Sequence, residues 1–169
     1  MAGSKYKKVY VVLRAKLTFA GAPATAAAPK VRAKLTKASI DAMKKKLPSN
    51  LSTSPADKPK KKAKPQFGNA LRLTAKVKVR VEKKGSSFKY RVEARLLPEV
   101  INFPNTNGFD LAPGSPIERG ANTMDPNSSP SDVDAIGRAL IDATVPPLTA
   151  SLLKNPTIKA RAKTKGVPI

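Results

Sequence analysis

Apolar and polar residues alternate almost without a break through four segments of this chain, and most of the polar positions are lysine or arginine. Leu71, Leu73, Ala75, Val77, Val79 and Val81 interleave with Arg72, Thr74, Lys76, Lys78, Arg80 and Glu82. Phe88, Tyr90, Val92, Ala94 and Leu96 interleave with Lys89, Arg91, Glu93 and Arg95. Nearer the start, Val9, Val11, Leu13, Ala15, Leu17 and Phe19 alternate with Lys8, Tyr10, Val12, Arg14, Lys16 and Thr18, and a shorter run sets Val31, Ala33 and Leu35 against Lys30, Arg32 and Lys34. A period of two is the period of a strand, whose successive side chains point to opposite faces. Each segment therefore predicts a strand with one apolar and one cationic face, and one sheet built from all four gathers thirteen basic residues on a single surface.

Charge says what such a surface is for. The 169 residues suit one domain, and 33 basic against 11 acidic side chains give a net charge of +22. A compact chain with that surplus repels itself, so an anionic partner is expected: nucleic acid, RNA favoured and DNA allowed, rather than a membrane. The surplus is also one-sided. Residues 1–98 carry 26 basic and 4 acidic side chains, 99–153 carry 2 and 7, and 154–169 return to 5 and none. Lysine on a sheet also discourages edge-to-edge pairing, but thirteen cations exceed that need. Placed side by side without counter-charge they destabilise the sheet, a cost that phosphates remove. Arg14, Lys16, Lys30, Arg32, Lys34, Arg72, Lys76, Lys78, Arg80, Lys89, Arg91 and Arg95 are the predicted nucleic-acid contacts. Tyr10 is the one aromatic residue on the polar face, too few for a base-stacking platform.

Other classes are bounded by what is missing. With neither cysteine nor histidine, the chain has no disulfide framework, no thiolate or imidazole metal site and no histidine acid–base chemistry. Any metal site would be all-oxygen, which implies magnesium; no cofactor and no catalytic residue is expected. No apolar run reaches the length of a membrane-spanning helix, and no secretion signal opens the chain, so a virion or otherwise cytoplasmic location is expected.

Along the chain, strand one is expected at 7–19 after a loose leader. An Ala/Pro-rich connection covers 20–29, strand two 30–35, and a short helix 37–47 carries Ile40, Met43 and Leu47. Residues 48–66 read as a lysine- and proline-rich linker. Residues 69–97 read as a hairpin turning through Lys83-Lys84-Gly85-Ser86, with Gly85 supplying the positive φ of a tight turn. Residues 99–130 read as one long irregular loop. Ser131 is the expected N-cap of a helix carrying Ile136 and Leu140 and broken by Pro146-Pro147; a second short helix spans 147–154, and 157–167 is expected to form a short basic strand. The fold class is α+β: an antiparallel sheet with one basic face and short C-terminal helices over its apolar face.

Two families share parts of this organisation. The hairpin 71–97, the stretch Ser131-Asp132-Val133-Asp134-Ala135-Ile136-Gly137-Arg138-Ala139-Leu140 and the segment Pro147 to Pro156 resemble the coat proteins of single-stranded RNA bacteriophages. Those place a sheet against RNA and two C-terminal helices on its other side, exchanged within a dimer. The resemblance implies a structural protein of a virus particle that packages the genome and self-associates as a dimer or larger shell. A shell of about 180 such chains offers on the order of 4,000 positive charges, comparable to the phosphates of a small genome. Asp132, Asp134, Arg138, Asp142 and Ala143 are in turn similar to the motif of RusA-like Holliday-junction resolvases, which implies a magnesium-dependent DNA junction endonuclease or an inactive relative. Ala135, Arg138 and Lys154-Asn155 depart from that motif. A capsid cement protein or a ribosome-associated basic protein shares the composition.

Overall fold

The computed structural model describes residues 8–60, 67–85, 87–105, 107–111, 119–124 and 133–169. Among them, β1 (Val9–Ala20), β2 (Leu51–Ser52), β3 (Ala70–Lys84), β4 (Ser87–Ile101), β5 (Gly108–Asp110) and β6 (Arg119–Met124) form one sheet. Three α-helices accompany it: α1 (Ala22–Lys44), α2 (Val133–Lys154) and α3 (Pro156–Thr164). The class is α+β. The strand order is β2-β1-β3-β4-β5, and β6 lies beside β4 over Tyr90–Arg95.

The hairpin is the backbone of the sheet. β3 and β4 pair antiparallel from Ala70 opposite Ile101 to Lys84 opposite Ser87, and Gly85 takes φ 61° in the connection between them. Their pleat separates the side chains as the alternation requires. Leu71, Leu73, Ala75, Val77, Val79 and Val81 stand opposite Val100, Pro98, Leu96, Ala94, Val92 and Tyr90, all buried. Val11, Leu13, Ala15, Leu17 and Phe19 of β1 continue this apolar face beside β3. Leu35 and Met43 of α1, Ile136, Leu140, Ile141, Val145 and Leu152 of α2, and Ile158 of α3 close over it as one core.

One strand runs against expectation in direction, and a second is a helix. β1 lies parallel to β3 as well as to β2, while every other pairing is antiparallel. Parallel neighbours need a long crossover, and residues 22–44 supply it as the 23-residue α1. The predicted strand at 30–35 is thus helix. Its six-residue alternation is too short to separate the two periods: Val31, Leu35, Ala42 and Met43 also mark one helical face, and the surrounding alanines favour helix. The Ser39 hydroxyl, fully buried, donates to the Leu35 carbonyl at 2.8 Å.

The C-terminal third differs in similar ways. α2 runs unbroken through Pro146 and Pro147. The carbonyls those prolines leave without an amide partner belong to Asp142 and Ala143, both exposed to water, while Thr144 and Val145 hold the helix to the core. The segment expected as a basic strand is α3: the Asn155 side chain caps it by accepting from the amides of Thr157 (2.9 Å) and Ile158 (3.2 Å), Pro156 starts it, and Gly166 at φ 83° follows its end. The long loop 99–130 contains β5 and β6. Ser131, the expected N-cap of α2, lies outside the described residues, as do 61–66 of the linker and the leader.

Candidate nucleic-acid interface

With the helices on the apolar side, the other face of the sheet carries the even-numbered residues of β1 and β3 and the odd-numbered residues of β4. Nine predicted contacts come together there: Arg14, Lys16, Arg72, Lys76, Lys78, Arg80, Lys89, Arg91 and Arg95. Lys84 of β3 and the acids Glu82, Glu93, Glu99 and Asp110 share the face, so over β1 and β3–β5 cations outnumber acids by ten to four. The remaining three, Lys30, Arg32 and Lys34, sit on α1, on the opposite side of the sheet. Arg32 lies over the Phe19 ring at 5.8 Å, and Lys34 pairs with Asp134 of α2. The alternation that suggested a shared surface for these three was helical surface instead.

The nine are not equivalent. Arg72 donates through Nε and Nη2 to the two oxygens of Glu99 at 2.7 and 2.9 Å, with side-chain exposures of 11 and 26%. Hydrogen bonding to Glu99 raises the Arg72 pKa; burial opposes this and the Glu99 charge adds to it. That guanidinium is a fastener between β3 and β4 more than a free phosphate ligand. Glu93 lies 3.3 Å from Arg91 and 3.7 Å from Arg80 and partly neutralises both. Among the described residues, Arg14, Lys16, Lys76, Lys78, Lys89 and Arg95 meet no carboxylate within ion-pair distance. The Arg95 Nε is buried and has no hydrogen-bond partner.

The face has relief. Two depressions adjoin at Lys76, one of about 640 Å³ bordered by Lys78, Arg91, Glu93 and Arg95, the other of about 270 Å³ bordered by Arg14, Lys16, Arg72 and Glu99. At the end of the face, Tyr10, Ala70 and Ile101 form a small apolar cluster with Val12 and Phe103, the Tyr10 and Phe103 rings meeting edge-on at 5.2 Å. Tyr10, the lone aromatic of the polar face, is thereby buried.

The acidic helix has a different occupation. Asp134 lies 3.2 Å from Lys34 and 3.1 Å from Arg138, and Asp142 lies 3.2 Å from Lys45. Burial pushes the Asp134 carboxyl upward, but hydrogen bonds and charge from Lys34 and Arg138 outweigh it and hold its pKa below the ordinary carboxylate value. These carboxylates fasten α2 to α1. Asp132 lies outside the described residues. Among those described, no group of three acidic side chains is placed to hold a metal ion, and no helix is long and apolar enough to cross a membrane.

Sequence reasoning could not foresee the division between committed and uncommitted cations. It is set by register: Glu93 was read as a polar position of one strand and Glu99 as the start of a loop, and the partners of both depend on which residues of β3 stand opposite. Set against known proteins, the sequence matches no family model and no curated protein.

Proposed function

We propose that this protein is a nucleic-acid-binding structural protein, that its open sheet face lies on the phosphate backbone with RNA the favoured partner, and that it packages a genome as a coat protein of a virus particle. The observation that carries the reading is the set of six cations on one sheet face that, among the described residues, have no carboxylate partner and no element laid over them. Such a face in water pays for its own repulsion, and phosphate is the counter-charge that matches its extent. The helical side, where Asp134 and Asp142 offset neighbouring lysines, is suited to contact with further copies of the chain. The net charge of +22 supports packaging over catalysis, because a nuclease needs only a basic cleft.

The test is binding of the full chain to single-stranded RNA across a salt series. Serine at Arg14, Lys16, Lys76, Lys78, Lys89 and Arg95 together is expected to make the slope of log K against log salt shallower by at least about 2 units, at about 0.7 per cation engaged. Serine at six cations of the helical side (Lys30, Arg32, Lys37, Lys44, Lys46 and Lys159) is expected to change it much less. Equal effects, or an unchanged slope in the first variant, overturn the assignment of the face. Light scattering of the protein assembled with RNA tests the packaging reading: a megadalton particle supports a shell, and a stable monomer or dimer overturns it.

A further inference from the structure

We infer that the open face takes one nucleic-acid backbone at a time, that this backbone crosses the strands over Lys16, Lys76 and Arg95, and that the ligand is a single strand rather than a duplex. This rests on the open-face reading above and adds a direction and a substrate class to it.

The direction follows from register. Lys16 stands opposite Lys76, and Lys76 opposite Arg95; Arg119 holds the next register position on β6. Residues directly opposite on adjacent strands lie about 5 Å apart, close enough for like charges to repel strongly. No acidic residue occupies a register position in this row. The rows beyond it do hold acids. On one side come Thr18, Lys78 and Glu93, then Arg80 and Arg91, which Glu93 partly neutralises. On the other side come Arg14, Thr74 and Leu97, then Arg72, Glu99 and Asp110. Carboxylates therefore border a strip that runs across the strands. A backbone laid along β4 would meet Glu93 and Glu99 in turn; one laid across meets neither.

The strip also has room. Lys76, in the middle of the row, borders both depressions.

Width argues for a single strand. The second backbone of a duplex follows the first across a groove about 6–12 Å wide. At about 3.3 Å per residue along a strand, those distances reach the row of Glu93 on one side and approach the row of Glu99 and Asp110 on the other. In those rows Glu93 stands beside Lys78, and Glu99 and Asp110 beside Arg72, so the second backbone would meet cations offset by carboxylates where the first meets cations alone.

The experiment compares two double variants of equal charge in the full chain. Lys16→Ser with Lys76→Ser removes two cations of the row; Lys78→Ser with Lys89→Ser removes two that also lack carboxylate partners but lie outside it. With a single-stranded RNA oligonucleotide, the row variant is expected to lose about 1.4 units of salt slope and the other less than half of that. Equal losses overturn the crossing path and leave open-face binding standing. No loss in either, with the wild type bound, overturns both. Against a duplex of the same length, the wild type is expected to bind the single strand at least as tightly; tighter duplex binding with a steeper slope overturns the single-strand assignment.

Discussion

Arg72 and Asp134 are both charged, and each is held by its partners. Arg72 sits against Glu99 with little exposure, joining the two long strands by a two-point contact. Removing the guanidinium leaves a half-buried carboxylate without its donor, so Arg72→Ala is expected to destabilise the fold by about 2 kcal/mol, measured by denaturant unfolding. Asp134 is the titrating case. Its folded pKa is lowered by Lys34 and Arg138, so its contribution is present above the unfolded value of about 3.9 and is lost as pH falls through the folded value. The pair is largely open to water, so wild type and Asp134→Asn should differ by under about 1 kcal/mol at neutral pH, with the gap closing below about pH 4. A gap that persists into stronger acid would show that the carboxylate charge is not its source. Gly21 is constrained differently. At φ 95°, between β1 and α1, a Cβ would meet the Val81 carbonyl oxygen, so Gly21→Ala is expected to cost more than about 1 kcal/mol.

Among the elements, α3 gives a clean test of capping. The Asn155 side chain accepts two of the helix's first amides, and Asn155→Ala is expected to lower stability by about 1 kcal/mol while leaving the open face unchanged. Unaltered RNA affinity in that variant checks the separation of the two sides. Legibility followed the length of the pattern. In β3 and β4 the alternation runs far enough that only a strand buries Leu71 through Val81 on one side, so the hairpin and the nine predicted cations of its polar face could be read directly, with β1 included, whereas Glu99 and Asp110 fell in the stretch expected to be a loop. At 30–35 the same pattern was short, and a helix buries Val31 and Leu35 equally well; Lys30, Arg32 and Lys34 left the face with it. Pro146-Pro147 and Asn155-Pro156 read as breaks because local rules carry no knowledge of the sheet that α2 and α3 pack against. The partners of Glu93 and Glu99 were hidden because strand register is a tertiary property.

At the scale of the whole molecule, the two sides of the sheet do opposite electrostatic work: ion pairs join the helices on one, and repulsion is stored on the other. A polyanion that binds the native open face relieves that repulsion and raises apparent stability by mass action. Thermal unfolding at low salt should therefore shift upward when single-stranded RNA is added, the gain shrinking as salt is raised. A melting temperature indifferent to RNA at low salt would count against the stored repulsion.

The parallel seating of β1 beside β3 has a consequence for how the molecule comes to exist. The hairpin closes between near neighbours in the chain, but Lys16 meets Lys76 only after α1 and the residues from there to β3 have been laid down. Distant pairings of this kind form slowly. A newly made chain thus holds its first strand unmatched until the hairpin exists to receive it. The hairpin alone already holds Lys76 opposite Arg95, so what arrives with β1 is Lys16, and the row of three is complete only when that strand docks.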